Sequence, residues 1–397
     1  MKTLLIFLTT LSISFSIYAD KLTIYTYDSF VSEWGPGPII EKIFEEKYNT
    51  DINFVAVDSA ATLLNKVILE GDSSKADIVL GLDMNLFDLA DKSELFTTHN
   101  INDINSILNL PLSWESNKFV PYNFGYFSFV YNEASLESPP KSMDELINST
   151  NARIVIQDPR TSTPGLGLLT WMKAIYGDKA ADEWKKLNKK IISVTKGWTD
   201  AYYNFFMAGE ADMVLSYTTS PAYHLIAEEN DHYDATVFAE GNYLQIEVAG
   251  MLKSTSEPQL AAQFLTFIAS PVFQNIIPTT NWMYPAYNAE VPEGFEALAK
   301  PSKTLLFDSE NGALIENSEA DSRVLMTKIQ DYTLTLKSGD KLEIPVREDG
   351  YVNATKLCKA GGKKMFHWIE NSSTKQSVFF WSKSSIIYSF WFLDFAK

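Results

Sequence analysis

Apolar residues in this chain fall into short runs separated by longer amphipathic stretches, and the two patterns alternate. Runs at residues 22–27, 52–57, 78–82, 126–131, 154–156, 213–215 and 244–251 are rich in Ile, Val, Leu and Tyr, which predicts strands. At 168–176, 181–187 and 259–268 apolar positions recur three and four apart with polar ones between, which predicts helices. Strands alternating with helices imply an α/β architecture. No repeat or low-complexity linker interrupts residues 20–305. Before them, Lys2 precedes an apolar run from Leu4 to Phe15, and the small Ala19 stands ahead of Asp20. That run is shorter than the roughly 20 apolar residues a bilayer requires and contains Thr and Ser, so it predicts a cleaved secretory signal peptide and not an anchor.

Charge divides the chain. Of a formal net charge of −17 over 397 residues, residues 324–397 contribute +4 (11 Lys or Arg against 7 Asp or Glu), which leaves −21 for residues 1–323. The acidic part argues against nucleic acid or an anionic membrane as its partner and suits a cationic ligand. With 46% hydrophobic residues the chain is not disordered as a whole. Its single cysteine, Cys358, allows no internal disulfide, and His99, His224, His232 and His367 lack metal-ligand spacing.

Candidate chemistry collects just after the apolar runs. The first run ends in Tyr27 and passes into Asp28-Ser29-Phe30 and Trp34-Gly35-Pro36-Gly37-Pro38. Ligands of open α/β sheets bind at such carboxyl ends. Tyr27 and Trp34 offer ring faces, and Asp28 a carboxylate, to a delocalised cation, where a desolvated cation–π contact contributes on the order of 2 kcal/mol. Taken singly, Trp34 serves equally as a core anchor and Asp28 as a turn former. Between the 154–156 run and a helix expected near Leu166 lies Gln157-Asp158-Pro159-Arg160-Thr161-Ser162-Thr163-Pro164-Gly165. Hydroxyls beside free N–H groups at a helix start can receive a phosphate or carboxylate, although N-capping accounts for one of them. A third set comprises Lys196-Gly197-Trp198, then Tyr202-Tyr203, and Ser216-Tyr217-Thr218-Thr219-Ser220-Pro221-Ala222-Tyr223. Asn281-Trp282-Met283-Tyr284 adds an aromatic pair in a turn after Pro278. Hydroxyls and rings of this kind can hydrogen-bond and stack on a heterocycle or its phosphate.

Seven stretches in order resemble the periplasmic thiamine-binding proteins of bacterial ABC importers, over residues 20 to about 307. They are residues 25–30, 34–38, 74–83, 157–169, 194–198, 215–223 and 281–285. The resemblance implies an α/β, two-lobed periplasmic binding protein fold of class II type, with the ligand cleft between the lobes. It further implies thiamine, thiamine monophosphate or thiamine diphosphate as ligand, a permease at the inner membrane as partner, a periplasmic location and a monomer. No cofactor, metal or catalytic residue is implied. Ligand contacts carry over to Ser59, Ala60, Ser162, Thr163, Trp198, Tyr217, Thr218, Thr219 and Ser220, with Tyr27, Tyr223 and Trp282 nearby, and the residue pattern itself adds Asp28. Relatives can carry Asp-Gly where this chain has Ser59-Ala60; here the acid is Asp58. The expected organisation is a signal peptide at 1–19, the two-lobed domain at 20–323 and a separate segment at 324–397.

Two rivals share the fold. A ferric-iron-binding protein would use paired tyrosinates, for which Tyr202-Tyr203 is a candidate, although Trp198 and Trp282 suit an organic ring better. Thiamine-degrading enzymes use a cysteine nucleophile, and residues 20–323 contain none, so no enzymatic activity is expected.

The segment at 328–375 resembles the start of a KilA-N domain, a small α+β DNA-binding module, through Asn353-Ala354-Thr355-Lys356-Leu357-Cys358-Lys359. Lys356, Lys359, Lys363 and Lys364 would meet DNA phosphates if that segment functions. Val378-Phe379-Phe380-Trp381 and residues 386–395 are unlike the module, and a truncated or frame-shifted end is the expectation. Export and DNA binding conflict, and the larger segment is expected to carry the function.

Overall fold

The computed structural model describes residues 21–149 and 151–308, together with the strands Ala313–Glu316, Ile329–Thr335 and Lys341–Arg347. The expected signal peptide, Cys358, His367, Lys356, Lys359, Lys363, Lys364 and the aromatic run of the tail lie outside the described residues.

In the first lobe, Lys21–Tyr27 runs between two parallel neighbours, Asp51–Val57 and Ile78–Asp83. Every residue of Ile78–Asp83 is buried, as a strand covered on both faces requires. Helices Gly37–Tyr48 and Ala60–Glu70 make the crossovers. The first has a proline in its opening turn and ends on Asn49 in the left-handed conformation, φ 51°. In the second lobe Ile154–Gln157 lies between Met213–Tyr217 and Ile191–Thr195, again all parallel. Helices Thr163–Tyr176 and Ala180–Leu187 cross over from Ile154–Gln157 to Ile191–Thr195, and a π-helix, Asp200–Phe206, leads back to Met213.

Two long antiparallel strands, Phe119–Asn132 and Asn242–Leu252, join the lobes. Along the first of them Phe119, Tyr122 and Phe124 pack into one core with Ile24, Leu80 and Phe264. Phe127, Phe129 and Tyr131 pack into another with Trp171, Leu215 and Phe238. The apolar residues along this strand thus fall to different lobes, and the strand passes from one to the other at Gly125 and Tyr126, which makes this the floor of a cleft.

Two β-bulges lie on that floor. Glu247 pairs with Asn123 but Val248 pairs with Pro121, so Tyr122 is the extra residue on its strand. Val248 pairs with Leu82 while Ala249 pairs with Leu80, so Gly81 is extra on the other side. A bulge re-aims side chains and tolerates the missing N–H of a proline. Gly81 takes φ 103°, and a Cβ there would collide with the Tyr27 ring, so glycine gives that ring its place.

The expected strands are all present, most of them one to three residues longer; the run at 126–131 is the second half of Phe119–Asn132. The helix expected near Leu166 begins at Thr163. Lys341–Arg347 forms an antiparallel pair with Ile329–Thr335, placing Leu342 opposite Leu334. Beyond residue 303, Thr304–Asp308 pairs with Asn242 and Tyr243 and with Ala313–Glu316, and buried Leu305 joins the second-lobe core.

Candidate functional site

Six parallel strands, three per lobe, deliver their carboxyl ends to the same cleft. From the first lobe come Tyr27, the turn after Val57 and Asp83; from the second come the turns after Gln157, Thr195 and Tyr217. Lys196 of the second lobe pairs with Asp58 of the first at 2.6 Å, which shows that the two sets of ends face one another. Of the thirteen residues singled out in the sequence, eleven lie on five of these six ends, whereas Tyr223 and Trp282 lie beyond them.

Polar side chains meet at the floor. The Tyr27 hydroxyl donates to Glu247 Oε2 at 3.0 Å and lies 3.3 Å from Asn281 Oδ1. Tyr122 Oη and Asn123 Nδ2 donate to the same Oε2 at 2.7 and 2.8 Å. Both reach it because Tyr122 is the bulged residue. Gln245 Nε2 donates to Glu247 Oε1 at 3.3 Å, and Tyr217 Oη donates to Gln245 Oε1 at 3.0 Å. Glu247 and Gln245 therefore tie together one phenol from each lobe. Burial, followed by the Glu247 charge, pushes the Tyr27, Tyr122 and Tyr217 phenols well above their ordinary range. Burial likewise raises the Glu247 carboxyl, against the pull of its donors.

On the first-lobe wall the residues divide. Asp28 is exposed and its Oδ1 accepts from the Ser29 N–H at 2.8 Å; partial burial raises its pKa, Asp58 adds to the rise, and Lys196 opposes it. Ser59 serves as the N-cap of Ala60–Glu70, accepting from the Thr62 N–H at 3.2 Å, with Ala60 buried behind it. Its hydroxyl is committed to the helix. Trp34 is neither core nor cleft floor: it stands 46% exposed on the loop ahead of Gly37–Tyr48.

The second-lobe wall is richer in hydroxyls. Ser162 holds the N-cap position of Thr163–Tyr176 in extended backbone, yet its hydroxyl caps no N–H. Trp198 stacks on Tyr202 at 4.7 Å and donates from Nε1 to Ser216 Oγ at 2.7 Å. Ser216 Oγ meets Ser220 Oγ at 2.7 Å, and the Tyr217 ring stacks on Phe127 at 5.2 Å. Thr219 Oγ1 reaches only Met283 Sδ, at 3.6 Å, and the fully buried Thr218 hydroxyl has no partner. Beyond the strand ends, Trp282, at φ 54°, meets Tyr223 edge to face at 5.4 Å. Burial, with Glu228 alongside, pushes the Tyr223 phenol up to about 12.

Tyr202 and Tyr203 do not make a tyrosinate pair. Tyr202 is buried in the π-helix and bonded to His224 Nε2 at 2.9 Å, and burial holds its phenol well above the usual range. His224 in turn contacts Glu228 through Nδ1 at 2.7 Å and stacks on Tyr233, so it is a satisfied core histidine.

A family model for bacterial extracellular solute-binding protein matches residues 73–304, more than half of the chain. The chain belongs to that family. This solute-binding protein is 52% identical over 287 residues to the thiamine-binding periplasmic protein of Escherichia coli K12, covering 72% of its own length and 87% of the relative. The thiamine-binding periplasmic protein of Haemophilus influenzae is 44% identical over 287 residues, with 72% and 85% covered. Among solved structures, a periplasmic thiamin binding protein superposes with a TM-score of 0.72 at 51% identity, covering 75% of this chain and 93% of that one. A KilA-N domain model matches residues 337–389 of the solute-binding protein. That match begins later than the expected 328 and runs past 375, so Val378-Phe379-Phe380-Trp381 falls within it, contrary to expectation.

The sequence pattern passed over Asp83, Tyr122, Asn123, Gln245 and Glu247. The sixth strand end carries Asp83, which is buried, accepts from the Asn85 N–H through Oδ1 at 2.8 Å and leaves Oδ2 without a hydrogen bond. An acid closing an apolar run was the available signal. For Gln245 and Glu247 the signal was a pair of polar residues two apart inside a run with apolar residues on both faces.

Proposed function

We propose that this protein captures thiamine or one of its phosphate esters in the cleft, in the periplasm, and hands it unchanged to the permease of an ABC importer. It needs no cofactor for this and acts as a monomer. The observation that carries the reading is the unused hydroxyl set of the second lobe beside a ring-lined floor: Ser162 caps nothing and Thr218 bonds to nothing, while Trp198, Tyr217 and Tyr27 stand on neighbouring strand ends. A buried hydroxyl left without a partner costs about 1–3 kcal/mol, which a ligand oxygen can recover. The N–H groups opening Thr163–Tyr176 add a positive end for an ester phosphate, and the rings suit a thiazolium. The identity to proteins named for thiamine binding supports the same ligand.

Calorimetry on ligand-stripped protein tests this. Heat of binding is expected with thiamine or its mono- or diphosphate, with the ligand recovered intact afterwards; absence of heat with all three, or recovery of cleavage products, overturns it. Thr218→Val gives a second check. Removing the unpaired hydroxyl is expected to raise ligand-free stability by about 1 kcal/mol and to weaken capture roughly threefold to tenfold. Unchanged affinity in that variant would remove Thr218 from the site.

A further inference from the structure

Asn242–Leu252 is buried at every position but one, and that position is Glu247. Glu247 is thus the half-buried residue of this strand, and it stands at the floor of the cleft. Glu247 stands directly opposite Asp83 in the antiparallel register, so the two acids share one face of the sheet. Neutral donors, Tyr27, Tyr122, Asn123 and Gln245, hold Glu247, and neither acid is in an ion pair among the described residues. Three buried polar atoms beside them have no hydrogen-bond partner: the acceptors Asp83 Oδ2 and Asn123 Oδ1, and the neutral donor Asn85 Nδ2.

Adjacent buried carboxylates repel, and burying them without a cation is unfavourable. The fold nevertheless places them together, with two spare acceptors, between the Tyr27 and Tyr217 phenols. What the arrangement lacks is positive charge. A metal ion is a poor candidate, because among the described residues no cluster of three His, Cys, Asp or Glu is assembled. An organic cation too large to be enclosed by carboxylates alone, flanked by rings, fits the geometry.

We propose that Asp83 and Glu247 form the counter-charge subsite of the cleft and receive the positively charged ring of the ligand, a proposal that rests on the reading of the cleft given above. The ester end then lies toward the second-lobe hydroxyls, and the charged ring against the floor. Glu247 has a second task through its hydrogen bonds: it fixes Tyr27 directly and Tyr217 through Gln245, so ring placement and charge come from one residue.

The test separates charge from shape. Wild type, Glu247→Gln and Asp83→Asn, each as the full chain stripped of ligand, are titrated with thiamine and with its uncharged isostere, in which thiophene replaces thiazolium. Wild type is expected to prefer thiamine. Glu247→Gln is expected to lose roughly tenfold or more in affinity for thiamine and less than about threefold for the isostere, since breaking a buried charge contact is costly and replacing a hydrogen-bonded carboxylate by an amide preserves shape. Asp83→Asn is expected to act in the same direction, and Glu247→Asp to recover part of the preference. Equal losses for both ligands would make Glu247 structural and overturn the proposal, as would equal binding of the two ligands by wild type. Should wild type bind the isostere and not thiamine, the subsite fails while the cleft stands as a binding site; binding of neither ligand fails the cleft reading itself. Circular dichroism of each variant excludes misfolding as the cause.

Discussion

Gly165→Ala is expected to destabilise the second lobe by about 3 kcal/mol or more and to abolish ligand capture at micromolar protein. The reason is the approach of a helix to the strand that precedes it. Gly165 is in the first turn of Thr163–Tyr176, and a Cβ there would collide with the Gln157 carbonyl oxygen and lie 2.8 Å from both Asp158 C and Pro159 N. All three are backbone atoms, so no side chain can rotate away and the helix start itself must move. Overpacking of a tight site ordinarily costs about 1–3 kcal/mol, and a clash with main chain belongs at or beyond the top of that range. Gln157 cannot yield readily, because its Nε2 donates to the Leu215 carbonyl at 3.0 Å and so holds the neighbouring strand end in place. Displacement of the helix start shifts Ser162 and Thr163 together with the opening N–H groups. Urea titration reads the stability loss and calorimetry with thiamine the binding loss; a variant with wild-type values for both would show that the Gln157–Gly165 turn has slack that the close contacts deny.

Much of this site was legible because of where strands end. Four of the apolar runs, at 22–27, 78–82, 154–156 and 213–215, are strands largely buried on both faces, and continuous apolar stretches announce such strands; the fifth, at 52–57, is an edge strand in which only Ile52 is fully buried. Once a parallel sheet is inferred, the residues that follow each run are candidates by topology alone. Ser59 shows the limit of that logic, since it stands at a strand end yet spends its hydroxyl on capping Ala60–Glu70. The crossing strands were harder to read. Pro121, Asn123 and Gly125 interrupt the first half of Phe119–Asn132 with residues that disfavour strands; the first two flank the bulged Tyr122, and Gly125 approaches Met283 closely. Helix Gly37–Tyr48 hid behind an opening of Pro36-Gly37-Pro38 that reads as a turn. The floor network was beyond reach for a different reason. Tyr27 and Glu247 are 220 residues apart in sequence, and no local period reports a contact made only when three crossing segments meet.

Asp83→Asn is expected to stabilise the ligand-free protein at neutral pH and to leave it almost unchanged in acid. Burial pushes the Asp83 carboxyl up from 3.8 to about 6; Glu247 adds to the rise, while the Asn85 N–H and the Thr163 hydroxyl oppose it. Because the folded value lies above the unfolded one, the stabilising contribution of this group is complete below about 3.8 and is lost as pH climbs through about 6. At pH 7.5 the folded protein carries an ionised carboxylate in a site that disfavours it, at a cost of up to about 3 kcal/mol. Asparagine resembles the protonated acid and does not ionise, and its amide can donate toward Glu247 across the strand pair. The gap between variant and wild type should therefore be close to zero near pH 4 and widen through pH 5 and 6 before levelling off. The groups facing Asp83 are few: Glu247 from the crossing strand, Asn85 from its own turn, Thr163 from the second lobe, and Tyr217, whose phenol feels its charge. Of these Glu247 is the one other acid, and its charge adds to the rise at Asp83, so Glu247→Gln is expected to move the onset to lower pH. Urea titrations at several pH values read the difference directly, and a constant offset between variant and wild type from pH 4 to pH 7.5 would show that Asp83 is not strained by its charge. The energetics then explain why such an acid is tolerated: the strain weakens the empty cleft, and a cation that relieves it binds the folded form more tightly than contact with the rings alone would allow.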